Sequence, residues 1–144
     1  MSLRSILVLS IVLLLAIMLA CSADNGPPLL ATDVEVTPAI PGMSMRAGYL
    51  TLKNNSAEDI RITRVSSPQF RSVEIHETII DNDIAKMRKV AELIIPPGET
   101  LRFERGGLHL MLTEVDSETA EVSLSLHSDD LLLLTLNTRV AENK

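Results

Sequence analysis

The feature that most constrains the fold of this chain is the brevity of its apolar segments. From residue 33 onward, apolar stretches recur at intervals of roughly 8 to 12 residues, a spacing typical of short strands. The intervening clusters, such as "NNSAED", "DND", "PPGE" and "HSDD", are rich in residues that favour turns. No segment after residue 20 sustains the 3.6-residue apolar repeat of an amphipathic helix. The pattern therefore predicts an all-β domain, either a sandwich or a barrel.

Alternation within each predicted strand divides its side chains between two faces. In "EVSLSLHS", residues 121–128, the side chains of Val122, Leu124 and Leu126 share one face. Ser123, Ser125 and His127 share the other face, and we expect His127 to be a solvated strand residue. The stretch "DIAKMRKVAELI" fits either a helix or an arm of a hairpin, because turn residues precede and follow it.

The first 20 residues are predicted to be a targeting segment that is not part of the fold. Arg4 supplies a positive charge, and the apolar run Ile6–Ala20 follows it. That run has 15 residues, fewer than the roughly 20 that a membrane-spanning helix needs. A short apolar core with a positive flank and a small residue at its end is typical of a secretory signal peptide.

Cys21, the single cysteine of the chain, directly follows this segment in "MLACS". A lone cysteine cannot form an internal disulfide, and its position resembles a bacterial lipobox, whose cysteine is lipidated and begins the mature protein. Ordinary signal cleavage that leaves a free thiol is the alternative. Ser22 stands where an aspartate would retain the protein at the inner membrane, which favours an outer-membrane anchor facing the periplasm. Residues 21–33 are then the anchor and a flexible tether, and residues 34–144 are the domain.

The segment "GGLHLMLTEV", residues 106–115, carries a histidine and a methionine within an otherwise apolar strand. Alternation places its three leucines, at positions 108, 110 and 112, on one face. His109 and Met111 stand side by side on the opposite face, about 7 Å apart along the strand. A methionine taken singly is usually core filling, but here the leucines supply the core, which leaves His109 and Met111 available to bind a ligand.

Two more residues of the same types lie upstream of this strand. His76 in "VEIHET" and Met87 in "IAKMRK" flank the "DND" turn, and a hairpin about that turn brings its two arms together. Ten residues separate His76 from Met87, and 21 separate Met87 from His109. With Met111 two positions further on, the H-x10-M-x21-H-x-M spacing resembles the copper-binding motif of the periplasmic copper chaperones of the PCuAC family. The words "PGMSMRAGYLTLKN", "IPPGETLRF" and "GGLHLML" also resemble that family, and the resemblance covers roughly residues 34–126.

The chemistry of these side chains supports the same site. Thioether sulfur is a soft ligand that favours Cu(I), and imidazole also suits copper. Neither group forms disulfides, and two imidazoles with two thioethers leave the charge of the ion unchanged, which suits a carrier that must release its metal. A hard cation would need oxygen ligands instead. A blue-copper centre would need a cysteine thiolate, and the one cysteine is assigned to the anchor.

The resemblance implies a single cupredoxin-like or immunoglobulin-like antiparallel β-sandwich that is not an enzyme. It implies a chaperone outside the cytoplasm that passes Cu(I) to the dinuclear copper centre of a cytochrome oxidase, directly or through a thioredoxin-like assembly factor. Two alternatives stay open: a lipoprotein that sequesters copper for tolerance, and an interaction module of immunoglobulin type without metal. The net charge of −6 argues against a nucleic-acid partner.

Other residues near the motif extend it or depart from it. Met43 and Met45 in "PGMSMR" alternate and could supply auxiliary soft ligands, with loop packing as the alternative. PCuAC relatives often carry a methionine directly after the first histidine and another two positions before the motif methionine, where this chain has Glu77 and Ala85. Alternation places Glu77 on the face opposite His76, so its presence leaves the four-residue site intact. A second copper site built on those methionines lacks its ligands in this chain.

Overall fold

The computed structural model describes residues 26–39, 42–115 and 120–142, and eleven β-strands lie within them. The strands are β1 (Leu29–Val36), β2 (Met45–Asn54), β3 (Ile60–Ile62), β4 (Arg64–Ser66), β5 (Phe70–Asp81), β6 (Ile84–Lys89), β7 (Leu93–Ile95), β8 (Thr100–Phe103), β9 (Leu108–Val115), β10 (Glu121–Ser128) and β11 (Leu131–Arg139). The ladders between these strands are antiparallel. Within the same described ranges, no helix is long and apolar enough to cross a lipid bilayer. The predicted signal peptide and Cys21 lie outside the described residues.

The strands form a sandwich around one apolar core. The larger sheet has the order β1-β2-β9-β5-β6, with β8 also paired to β2. Strands β11, β10 and β4 form a second sheet in that order, and β3 pairs with β7. Leu52 and Leu112 of the larger sheet belong to the same buried cluster as Leu124 of the second sheet. The sheets therefore pack face to face, as the prediction of an antiparallel β-sandwich requires.

Strand β2 shows how alternation builds the inner face of the larger sheet. Its even-numbered residues are buried and its odd-numbered residues are at least partly exposed. Gly48 belongs to the inner row, where a Cβ atom would lie 3.1 Å from both Leu110 Cβ and Leu112 Cδ1. The absence of a side chain at Gly48 lets these two leucines of β9 pack closely against β2.

The folded part of the chain begins earlier than the boundary predicted at residue 34. Strand β1 starts at Leu29, which is 3% exposed and lies opposite Asn54 of β2. Alternation is hard to detect in this strand, because the register shifts between Thr32 and Glu35, and Asp33 has a φ of 53°. Such a β-bulge interrupts the two-residue period and hides a strand from a pattern search.

The segment "DIAKMRKVAELI" forms strands, which favours the hairpin interpretation over the helix. Strands β5 and β6 pair through a tight turn in which Asp81 lies opposite Ile84. The two residues between them, Asn82 and Asp83, have φ angles of 50° and 62°. Positive φ at both central positions is typical of a type I′ turn, which matches the twist of a two-stranded hairpin. The "DND" turn therefore brings the arms together as predicted.

The expectation that His127 is solvated is wrong. His127 Nε2 lies 3.1 Å from Ser66 Oγ, and its Nδ1 atom is shielded from solvent without a hydrogen-bond partner. Burial, with a smaller contribution from the positive charge of Arg64, lowers the pKa of His127 below its usual 6.5. Alternation places the ring on the outer face of β10, but it does not reveal that β4 pairs alongside and brings Ser66 next to the ring.

Candidate metal centre

The four residues of the predicted site lie on three neighbouring strands of the larger sheet, on its outer face. His109 and Met111 alternate on β9 with the buried Leu110, so they point away from the core. His76 lies on β5, the strand paired with β9, and Met87 lies on β6 at the edge of the sheet.

The strand register places the two histidines opposite each other. His76 pairs directly with His109, and the ring centroids are 6.0 Å apart with an angle of 56° between the ring planes. Directly opposed residues of an antiparallel pair share a face, as do Glu74 and Met111 in the next outward-facing pair along these strands. A metal–nitrogen bond is about 2 Å long, so two imidazoles on one ion have centroids about 5 to 6 Å apart. The observed separation fits His76 and His109 binding the same ion.

Met87 lies closer to the hairpin turn than the histidines do. It is opposite Thr78, which is two residues beyond His76 on the same face of β5. Met87 is 67% exposed, whereas the side chain of His76 is only 12% exposed. An unbranched thioether at the exposed edge of the sheet can reorient with little loss of packing.

A hollow of about 340 Å³ lies between these strands on the outer face. Met87, His109 and Met111 all contribute to its walls. His76 does not line the hollow, but its ring lies next to the ring of His109. The structure therefore brings three of the four predicted residues to one concave surface and places the fourth directly beside it.

The two methionines predicted as auxiliary ligands have different positions. Met45 is the first residue of β2, lies opposite Thr113 of β9, and lines the hollow together with Met111. Met43 precedes the strand, is 47% exposed, and does not border the hollow among the described residues. The structure places Met45 with the candidate ligands and leaves Met43 in the loop.

A cation at the rim of the hollow has its charge offset by neighbours. The guanidinium carbon of Arg105 lies 5.0 Å from the centroid of the Tyr49 ring, a cation–π distance. The same guanidinium lies 3.3 Å from a carboxylate oxygen of Glu35. Arg105 therefore faces an aromatic ring and an anion, which reduces its repulsion of a positive ion in the hollow.

Each histidine of the pair has one ring nitrogen held by an acceptor. His109 Nδ1 lies 3.0 Å from the carbonyl oxygen of Gly107. His76 Nε2 lies 3.0 Å from Glu74 Oε2, and the Nδ1 atom of His76 is shielded from solvent and has no hydrogen-bond partner. A buried polar atom without a partner is uncommon, and the ring that carries this one has its centroid 6.0 Å from that of His109.

Glu74 also contacts a lysine on the edge strand. Lys89 lies directly opposite His76 on β6, and its Nζ atom donates a hydrogen bond of 2.6 Å to Glu74 Oε1. This hydrogen bond, followed by the one from His76, lowers the pKa of Glu74 below its usual value. Glu74 is therefore a carboxylate at neutral pH, with one oxygen toward Lys89 and the other toward His76.

The donor set as a whole favours a soft ion. Among the described residues, no three His, Asp or Glu side chains lie close enough together to form a metal site by themselves. A site on this face therefore depends on thioether sulfur in addition to the imidazoles. Two imidazoles with thioethers match the preferences of Cu(I), and they do not match those of Mg²⁺ or Ca²⁺.

Sequence reasoning did not identify Glu74 and Lys89 as parts of this site. Glu74 stands two residues before His76, so strand alternation alone could have placed the two on one face. Lys89 could not be found in this way, because its position depends on the register of the β5–β6 hairpin. Glu77 forms an ion pair of 2.6 Å with Arg88, away from the candidate ligands, as expected for the opposite face.

Comparison with known proteins relates the chain to a lipoprotein family. Residues 29–138 match the model of the LpqE-like family, which is described as a lipoprotein family. RP573, an uncharacterised protein of Rickettsia prowazekii (strain Madrid E), is 30% identical over 105 residues, which cover 70% of this chain and 58% of that protein. The chain thus spans less than two thirds of the length of this relative.

Solved structures of copper-binding domains share the fold. The copper-bound PCuAC domain of PmoF2 has a TM-score of 0.62 at 17% identity, over 78% of this chain and 92% of that domain. The Cu(I) form of DR1885 from Deinococcus radiodurans has a TM-score of 0.63 at 25% identity, over 85% of this chain and 84% of that one. The predicted sandwich class is confirmed, and the family match together with the fold shared with PCuAC domains supports the predicted relationship to the PCuAC family.

Proposed function

The chain belongs to the LpqE-like lipoprotein family, and from that premise we propose that it is a copper chaperone that binds Cu(I) through His76, Met87, His109 and Met111. The observation that carries this proposal is the direct opposition of His76 and His109, with both thioethers on the same face. The four side chains form a soft, uncharged donor set, which favours Cu(I) over harder ions. The copper-bound forms of PmoF2 and DR1885 support copper as the metal of this fold.

The exposure of the ligands suggests how the ion is released. Cu(I) is cargo, so an acceptor must replace the ligands one at a time without the bare ion entering solution. Met87 is the most exposed of the four and lies on an edge strand, so we propose that it is the first ligand to be exchanged. A thioether leaves without taking up a proton, which makes the exchange independent of a proton donor.

We propose that the protein acts outside the cytoplasm while attached to a membrane. Cleavage after residue 20 would leave Cys21 as the lipidated first residue. Because β1 begins at Leu29, residues 21–28 would form the tether, shorter than the predicted one. Ser22 favours the outer membrane of a bacterium as the site of attachment. Replacement of Cys21 by Ser should move the protein from the membrane fraction to the soluble periplasmic fraction; if it stays with the membrane, the anchor lies elsewhere.

Copper binding is tested by titrating Cu(I) against a competing chelator under oxygen-free conditions. The double variant His109→Ala/Met111→Ala should lose at least about a hundredfold in affinity, since it removes two ligands and not merely their hydrogen-bond partners. A matched control, His127→Gln/Met43→Ala, removes one histidine and one methionine outside the hollow and should keep the wild-type affinity. Equal affinity of wild type and the first double variant would show that the site is wrongly assigned.

Delivery is tested in cells that lack the protein. We propose that the acceptor is the dinuclear copper centre of a cytochrome oxidase, or a thioredoxin-like assembly factor that precedes it. A deletion strain grown on scarce copper should then lose oxidase activity, and the wild-type gene should restore it while the His109→Ala/Met111→Ala gene should not. Normal oxidase activity combined with copper sensitivity at high copper would instead indicate sequestration.

A further inference from the structure

We propose that Glu74 is a positioning residue that fixes the tautomer of His76, so that His76 binds Cu(I) through Nδ1 while His109 binds it through Nε2. The inference rests on the proposed function and specifies which atom of each imidazole holds the ion. Metal-binding histidines usually donate their second ring N–H to a carboxylate or a carbonyl, which orients the ring and makes it a better ligand. Both kinds of acceptor are present in this site, one for each ring.

The partner of His109 determines its free nitrogen. The carbonyl oxygen of Gly107 can only accept a hydrogen bond, so the Nδ1 atom that lies 3.0 Å away carries the proton. In a neutral imidazole the other nitrogen is then unprotonated. Nε2 of His109 is therefore the atom that can donate a lone pair to a metal.

The same argument applied to His76 leads to the opposite nitrogen. Glu74 Oε2 is a carboxylate oxygen that lies 3.0 Å from Nε2 of His76, and the other oxygen of the same carboxylate already accepts from Lys89. A carboxylate oxygen placed in this way accepts, so Nε2 of His76 carries the proton. The unprotonated atom of His76 is Nδ1, and Nδ1 is the atom that is shielded from solvent without a partner. A bound ion would supply the partner that this lone pair lacks.

Glu74 is held in the position that this role requires. Lys89, directly opposite His76, engages the other carboxylate oxygen at 2.6 Å. The carboxylate is therefore oriented from two sides, and Lys89 offsets its negative charge. Carboxylate oxygen is also a hard ligand that Cu(I) does not favour. These contacts make Glu74 a support for His76 and not a competitor of the thioethers for the metal.

The nitrogen assignment can be tested directly by ¹⁵N NMR of the three histidine rings, because Cu(I) is diamagnetic. In the metal-free protein, we expect the proton of His76 on Nε2 and that of His109 on Nδ1. Addition of one equivalent of Cu(I) should shift His76 Nδ1 and His109 Nε2, while the His127 ring keeps its resonances. A larger shift at His76 Nε2 than at Nδ1, with loss of the Nε2 proton, would overturn the inference, because copper would then have replaced the proton that Glu74 accepts.

Variants of Glu74 test whether its carboxylate fixes the tautomer of His76. Glu74→Ala should lower Cu(I) affinity by roughly 10- to 100-fold, the usual effect of removing such a partner, and should leave His76 as a mixture of tautomers. Glu74→Gln has a single acceptor oxygen, which the ammonium of Lys89 would take because it can only donate, so the amide NH₂ would face His76 Nε2. This variant should therefore fail to restore the single tautomer or the affinity. The matched control is Glu77→Ala, which removes a carboxylate of the same strand that pairs with Arg88 on the other face. Its affinity should stay within about twofold of wild type.

The outcomes separate this inference from the proposed function. If wild type binds Cu(I) and the His109→Ala/Met111→Ala variant does not, but Glu74→Ala behaves like Glu77→Ala, only the role of Glu74 is wrong. If copper shifts neither His76 nor His109 in the wild-type protein, the proposed function and the inference both fail. The wild-type spectra decide the nitrogen assignment even if Glu74→Ala does not fold.

Discussion

His76 and His109 occupy directly opposed positions on β5 and β9, with their ring centroids 6.0 Å apart. This opposition depends on the register between the two strands, and a shift of one residue would turn one ring toward the core. Leu110 and Leu112 alternate with His109 and Met111 on β9 and are only 1% and 0% exposed. Such a shift would therefore also expose core residues. Core packing and the geometry of the candidate metal site are therefore coupled through the same register.

The close packing at Gly48 gives a first prediction. Gly48→Val should lower the free energy of unfolding by about 1–3 kcal/mol, because its side chain would collide with Leu110 and Leu112. Urea denaturation measures the loss. Thr51→Val, which adds a β-branched apolar residue on the outer face of the same strand, should change stability by no more than about 0.5 kcal/mol. If Gly48→Val lost no more stability than Thr51→Val, Leu110 and Leu112 would have to be able to move apart.

The exposure of Met87 separates copper affinity from stability. Met87→Ala should weaken Cu(I) binding at least about tenfold while changing the free energy of unfolding by less than about 0.5 kcal/mol, since the side chain is mostly exposed. Leu110→Ala should show a stability loss of about 2–5 kcal/mol, as expected for a buried leucine. Chelator competition and denaturation of the same samples provide both quantities. Unchanged affinity in Met87→Ala would remove Met87 from the ligand set.

The positions of Met43 and Met45 predict different effects on copper. Met45→Ala should lower Cu(I) affinity several-fold, because its thioether lines the hollow beside Met111 and can add a soft contact. Met43→Ala should leave the affinity unchanged, because its side chain lies in the exposed loop before β2. The comparison uses the same chelator titration for both variants. Identical affinities would mean that Met45 packs beside the site without touching the ion.

The lowered pKa of His127 predicts how stability depends on pH. The unfolded chain takes up the proton near pH 6.5, whereas the folded state resists it, so acid favours unfolding. The stability associated with a neutral ring is fully present above about pH 6.5 and is lost as the pH falls through that value toward the lowered pKa of the folded state. His127→Gln should therefore lose less stability than wild type when denaturation is repeated between about pH 7 and pH 5. Parallel profiles would contradict the predicted shift.

Much of the fold could be predicted from alternation, because the two-residue period is a property of each strand by itself. Alternation placed Val122, Leu124 and Leu126 on one face of their strand, and all three are buried. It missed β1, where the bulge near Asp33 breaks the period. Alternation also could not show that Ser66 of β4 would lie against His127, because the pattern within one strand does not indicate which strands pair with it.

The candidate site also has some features that the sequence predicted and others that it could not predict. Spacing and residue type identified His76, Met87, His109 and Met111, and alternation put the last two on the face away from the leucines. The sequence by itself determined this choice of face, because backbone geometry forces successive side chains to opposite sides of a strand. Only the tertiary structure decided that His76 meets His109 and that Lys89 and His76 share the carboxylate of Glu74. These contacts depend on which strands pair and on the register of each pair. Strand order and register are both set by the packing of the whole sandwich around its core.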